Sequence, residues 1–240
     1  MNTIFSSFVA ALHDIWAPRI LAVMFIPPLA ALLVWGVLAW ALSDDWARWV
    51  AGWIATSPWL AWVGKLGLSS VFIWGSGIMA FALLLPLMLI TAVLVAEIVA
   101  MPVIVPWVSE RRFPALQQRK GGTIVGSAVN AITTIVTFAA LWVVTLPLWF
   151  TGIGALVLAP VLSAYLNQRL FRYDALAEHA SAEEYRELLA RARGRLFLLG
   201  LMLAVLYYIP FVNLAAPVLS ALAFTHLCLA ELAQLRQGRA

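Results

Sequence analysis

Charge is scarce in this sequence: only 11% of its 240 residues are Asp, Glu, Lys or Arg, against about 25% in an ordinary soluble domain. A chain so poor in charge cannot cover a folded surface with polar groups. That excludes a free-standing water-soluble globule and makes lipid the solvent. Cysteine is almost missing. The single thiol, Cys228, excludes an internal disulfide and any cysteine-rich metal site. The histidines, His13, His179 and His226, have no metal-ligand spacing, and there is no Walker A loop, H-E-x-x-H helix or nucleophile–base pair. No enzymatic activity, cofactor or metal is expected. No Gly-, Ser- or Pro-rich linker divides the chain, so 1–240 reads as a single membrane domain.

What is present is apolar: 64% of residues are hydrophobic and the mean hydropathy is +0.97. The net charge of +4 sits in short loops beside apolar runs, a topology signal rather than a nucleic-acid footprint. Residues 1–19 read as an interfacial amphipathic helix, with Ile4, Phe5, Phe8, Leu12, Ile15 and Trp16 near one face. They lack the basic start of a cleavable signal peptide. Residues 20–42 carry no charge and exceed the roughly 20 residues that cross a bilayer core, so they form the first transmembrane helix. Residues 43–65 hold Trp46, Trp49, Trp53, Trp59 and Trp62 beside Asp44 and Asp45 and read as an outer interfacial loop. A second span with an extension runs over 66–108, kinked at Pro86.

The basic residues then decide the topology. Apart from Arg48 and Lys65, they lie near the N-terminus, in two later loops or at the C-terminus. If those regions are cytoplasmic, the apolar runs 123–168 and 196–232 each have cytoplasmic charge on both sides and must go in and come back. A bend over Pro210 to Pro217 leaves the second run with arms of about 14 and about 13 residues, about 20 Å each. The hydrocarbon core is about 30 Å thick, so this hairpin stops inside it. The first run is longer and fits either two full spans or a deep re-entrant hairpin. Between them, Ser181 and Glu184 spell a capping box that opens an amphipathic helix over 181–195. The hexamer Ala159 to Ala164 recurs letter for letter as Ala216 to Ala221, each copy opening a second arm after a proline-marked bend. The expected fold is thus all-α, with two transmembrane helices, two membrane-inserted re-entrant hairpins and amphipathic interfacial helices.

Several residues carry possible chemistry. Glu97 is the only charge between Lys65 and Glu110. It is either a proton-coupling carboxylate within a membrane segment or an interfacial partner of a nearby arginine. Arg19 is either a positive-inside anchor or an anion contact at a helix N-terminus. Gly152, Gly154 and Asn213 lie at the expected bends, where plain turn chemistry competes with a role along a substrate path. His226 reads as an interhelical hydrogen-bonding residue rather than a proton relay.

Arg172-Tyr173-Asp174, His179, the Glu183 to Arg195 helix, Ile209 to Val218, Ala100-Met101-Pro102 and the stretch from Pro18 to Pro27 together resemble the CysZ sulfate-transport family, which groups with the etoposide-induced protein family. The resemblance implies an oligomer, a dimer or higher, of chains with two transmembrane helices and two inserted hairpins. It also implies sulfate uptake for cysteine synthesis across the bacterial inner membrane, and the distribution of basic residues puts both termini on the cytoplasmic side. It places anion contact at Arg19, Ile20 and Leu21. The family's motif there carries paired arginines after a glycine; this chain has Arg19 alone, with Leu21 and Ala22 in place of the pair. The implied partners are the bilayer, sulfate or a related oxyanion, and further copies of the chain. The competing reading is a non-transporting membrane scaffold of the same fold.

Overall fold

The computed structural model describes residues 2–57, 75, 84, 88, 91, 95, 99–209 and 212–238. Glu97, Pro86, Trp59, Trp62, Lys65 and most of the expected second span lie outside the described residues. The described chain forms eight helices: α1 (Asn2–Asp14), α2 (Pro18–Ala41), α3 (Ser43–Thr56), α4 (99–112), α5 (Ile124–Trp149), α6 (Ile153–Ala177), α7 (Ala182–Leu206) and α8 (Val212–Gln237). It divides into two compact units, Met1–Met24 with Glu97–Ala240, and Phe25–Ala96.

Among the described residues three helices are long and apolar enough to cross a membrane: Pro18–Ala41, Val125–Trp149 and Ala215–Gln237. Their surroundings differ. Only 6% of the Val125–Trp149 window is buried by protein, against 83% of the Ala215–Gln237 window. The first can meet lipid around most of its circumference. The second is the axle of its unit, with α1, α6 and α7 packed on it. Ala216, Val218, Leu222, Phe224, Leu227 and Leu229 are all at or near zero exposure, and Phe224 stacks on Phe171 of α6 at 5.8 Å.

The elements around that axle follow their local sequence. Ser181 accepts from the Glu184 N–H at 3.2 Å and the Glu184 carboxylate accepts from the Ser181 N–H at 2.9 Å, so both halves of the capping box form. The helix it opens does not stop near residue 195. It runs unbroken to Leu206 and buries Leu188, Ala192, Leu196, Leu199 and Leu203 along one stripe. The amphipathic helix and the first arm of the second helical hairpin are therefore one helix. On α4, Ala100, Met101, Ile104, Val105, Trp107 and Val108 repeat at three- and four-residue steps and are all buried.

The hairpin bends are tighter than the prolines suggest. The first turn occupies 150–152, with Pro147 inside α5 and Pro160 inside α6. The second lies between Leu206 and Val212, with Pro217 inside α8. The two copies of the repeated hexamer do lie in second arms, but neither proline occupies a first turn. The copies share burial at two positions, Leu162 and Ala164 matching Leu219 and Ala221, while the second copy is buried throughout and the first is half-buried elsewhere. Asn213 is likewise not at a bend. It sits in the first turn of α8, its side chain exposed and its N–H bonded to Ile209 O at 3.1 Å.

The Trp-rich stretch after α2 is a helix rather than a loop over Ser43–Thr56. Asp44 and Asp45 stand in its first turn, where carboxylates complement the helix dipole. Trp46 and Trp49 lie with ring centroids 5.3 Å apart. In the same unit Trp35 Nε1 donates to Thr91 Oγ1 at 3.2 Å.

On α1 the apolar residues do not share one face. Ile4, Ser7, Ala11 and Asp14 form the buried side, packed toward α8. Phe5, Val9, Leu12 and Trp16 form an exposed apolar stripe.

Candidate functional site

Polar side chains penetrate the larger unit at three levels around α8. The first is centred on Asp14, whose side chain is only 5% exposed. Its Oδ1 accepts from Arg112 Nη2 at 2.8 Å and lies 3.1 Å from His13 Nδ1, while His226 Nε2 approaches Oδ2 at 3.0 Å. Burial pushes this carboxyl up. The hydrogen bonds from Arg112 and His13, with the charges of His226 and Arg112, outweigh it and hold Asp14 below the usual carboxylate range. An ionised carboxylate only accepts, so both imidazole nitrogens facing it must donate. The cluster ties α1, α4 and α8 together.

The second level is Glu184, 1% exposed. Arg119 Nη1 donates to Oε1 at 2.7 Å. Arg236 donates from Nε to Oε1 and from Nη2 to Oε2, both at 3.0 Å. Arg236 also donates to Gln117 O at 2.8 Å and His179 O at 2.7 Å. The Arg236 hydrogen bond, the backbone bond from Ser181 and both guanidinium charges bring the Glu184 carboxyl down to about 2 against the opposing effect of burial. Beside it, burial holds the His179 imidazole below its ordinary range, with the Glu178 charge opposing. The basic loop packs on this hub edge to edge: Lys120, Gly121 and Gly122 donate their N–H groups to Glu178 O, Ala180 O and Ala177 O at 2.9, 3.0 and 2.8 Å. A Cβ on Gly121 or Gly122 would strike the Ala180 or Ala177 backbone.

The third level is a seam between α6 and α8. Asn167, Gln168 and Ser220 are buried. Among the described residues Gln168 Oε1, Arg169 Nε, Arg172 Nε and Ser220 Oγ find no hydrogen-bond partner, while the Arg172 guanidinium does hydrogen-bond Tyr185. Arg169 is partly engaged, Nη1 donating to Tyr165 Oη at 2.7 Å, and its carbonyl accepts from Asn130 Nδ2 of α5 at 2.9 Å. Arg169 and Arg172, three residues apart, lie on one helical face. A buried polar atom without a partner costs about 1–3 kcal/mol, so each of these atoms calls for water or an ion. Near the end of α8, Arg195 Nη1 pairs with Glu231 Oε1 at 2.6 Å, an ion pair whose alignment leaves that oxygen without a hydrogen bond.

The residues singled out from sequence do not converge on these clusters. Arg19 is exposed. Ile20 is fully buried in the apolar core, and Leu21 is half-buried. The N–H groups of Ile20 and Leu21 both donate to Ala17 O at 2.9 Å. They are committed to starting α2, and neither side chain is polar, so neither residue presents an anion contact. Gly152 caps α6 at φ 69°, a conformation that favours glycine. Gly154 is the second residue of α6, where a Cβ would collide with the Leu148 carbonyl. Both positions are accounted for by turn geometry, and Asn213 by its place in the first turn of α8.

Sequence reading missed Asp14, Arg112, Arg119 and Arg236 as partners, and it saw Glu184 only as half of a cap. One signal was available. Asp14 continues the Ile4, Ser7, Ala11 spacing, which puts a carboxylate on the buried face of α1. A family model described as sulfate transporter CysZ/etoposide-induced protein 2.4 matches residues 7–217. No curated protein and no solved structure matches the chain.

Proposed function

We propose that this chain, which belongs to the sulfate transporter CysZ/etoposide-induced protein 2.4 family, is a bacterial inner-membrane anion permease that carries sulfate or a related oxyanion into the cell for sulfur assimilation. The observation that carries the reading, beyond family membership, is the seam on α6. Arg169 and Arg172, one turn apart and engaged by Tyr165 and Tyr185, each keep an Nε–H without a partner among the described residues, next in sequence to the buried Gln168. A tetrahedral oxyanion passing the seam would meet charge-assisted donors there, and arginine's planar fork suits such oxygens. Arg19 then acts as a topological anchor.

In this reading the basic loops and both termini are cytoplasmic. The second hairpin is re-entrant, because the charge-free part of α7 runs only from Leu196 to Leu206, about 16 Å, against a core of about 30 Å. The first hairpin is deeper, since α5 at about 39 Å is long enough to cross. The working unit is a homo-oligomer whose subunits cover the exposed apolar faces not held by lipid.

Labelled sulfate uptake into proteoliposomes tests the cargo. Uptake above empty vesicles that falls at least about tenfold in Arg169→Gln/Arg172→Gln, a loss of about 1.4 kcal/mol, is the expected result. Absence of flux in either orientation refutes it. A specific observation favours the second reading, a non-transporting scaffold. Leu196, Leu199 and Leu203 of α7 and Ala221 to Phe224 of α8 are packed without solvent exposure. Under that reading the same assay returns no flux while the protein remains folded and oligomeric.

A further inference from the structure

A groove of about 490 Å³ runs along the outer side of α1, lined by Phe5, Ser6, Val9, Ala10 and His13, with Arg112 of α4 alongside. It is amphiphilic along its length. Phe5 and Val9, 64% and 46% exposed, form an apolar end. His13 and Arg112, whose side chains are 80% and 44% exposed, form a polar end. From Phe5 to His13 the helix rises about 12 Å, so the apolar and polar ends lie about that far apart along α1. Asp14 completes the arrangement from beneath. Buried and ionised, it takes one Nη2 bond of Arg112 and fixes the guanidinium at the rim.

We propose that this groove binds one anionic phospholipid of the leaflet on the side of the basic loops, the phosphate at Arg112 and His13 and an acyl chain against Phe5 and Val9. The occupant follows from the charge gradient and the setting. The exposed stripe of α1 continues through Leu12 and Trp16, which places its apolar face at acyl depth as an interfacial helix requires. A guanidinium fork matches phosphate oxygens in a bidentate way, and the leaflet facing basic loops is the one rich in anionic lipid. Basic residues at such a surface contribute enough individually to favour anionic over zwitterionic lipid about fivefold. The site is independent of the cargo and of whether the protein transports at all.

Native mass spectrometry of the full chain in detergent tests the site, with dioleoyl-phosphatidylglycerol, dioleoyl-phosphatidylcholine and inorganic phosphate titrated separately. The wild type should retain phosphatidylglycerol about fivefold better than phosphatidylcholine. Ser6→Trp fills the groove from an exposed position and should remove that preference in a protein with unchanged helicity. Arg112→Gln should remove it too. If that variant fails to fold for want of the Asp14 partner, Ser6→Trp carries the test alone. Equal retention of the two lipids by the wild type, an unchanged preference in Ser6→Trp, or displacement of the lipid by inorganic phosphate alone would overturn the proposal.

Discussion

Glu184→Gln isolates the electrostatic contribution of the hub at the end of α8. Glutamine also completes a capping box, so the variant can keep the backbone bond from Ser181 while losing the charge that faces Arg119 and Arg236. Moving the carboxyl from 4.5 to about 2 corresponds to roughly 3 kcal/mol by proton linkage. Arg119 is 48% exposed, and solvent screening on that side lowers the expected contribution to about 2 kcal/mol. The group's pKa is depressed in the fold. Its stabilisation is therefore fully present above the unfolded value of 4.5 and is lost as pH falls toward about 2. Thermal unfolding in detergent at pH 7 should show Glu184→Gln melting about 4–8 °C below the wild type. The gap should narrow between pH 5 and pH 2.5 as the wild type loses its advantage. A gap that stays constant across that range would mean that packing or the cap, not the charge, is what the substitution removed, and the hub argument would be wrong.

Asp14→Asn should destabilise the protein by about 2 kcal/mol in the same melting assay, less than the roughly 3–5 kcal/mol for a fully buried pair because Arg112 can rehydrate; a shift under about 1 °C would show that the α1 cluster is energetically idle. Gly152→Ala should cost about 1–2 kcal/mol, since φ 69° puts a Cβ in an unfavourable region, and Gly154→Val should cost more because its side chain meets the Leu148 carbonyl; equal melting of the two variants and the wild type would contradict the turn. Cys228 is free and fully buried, so a maleimide should label it at least about tenfold more slowly in the folded protein than in detergent-denatured chain. Fast labelling of the folded protein would place α8 elsewhere than at the centre of its unit.

Composition and periodicity carried much of the helical architecture, because both are local. The 11% charge content demands lipid whatever the contacts are. The Ser181 and Glu184 box acts over three residues, and both of its bonds form. The start of the α7 stripe, Leu188, Ala192 and Leu196, is visible in the spacing alone. The family resemblance was legible in the same way, from short segments in order along the chain.

Prolines misplaced the bends because proline is tolerated within helices whose neighbours or lipid setting accommodate the lost N–H bond, and Pro147, Pro160 and Pro217 all lie inside helices. The clusters were out of reach for a different reason. Asp14 and His226 are 212 positions apart, and Arg112 and Asp14 are 98 apart. No spacing rule acts over such distances. Hydropathy marked Ala215–Gln237 as apolar, but it could not say that this helix would be wrapped by protein while Val125–Trp149 stays bare. Lipid and protein interior are equally apolar solvents for a leucine. Which one a helix meets is decided by the partners that the tertiary fold brings to it, and so is the company of each buried charge.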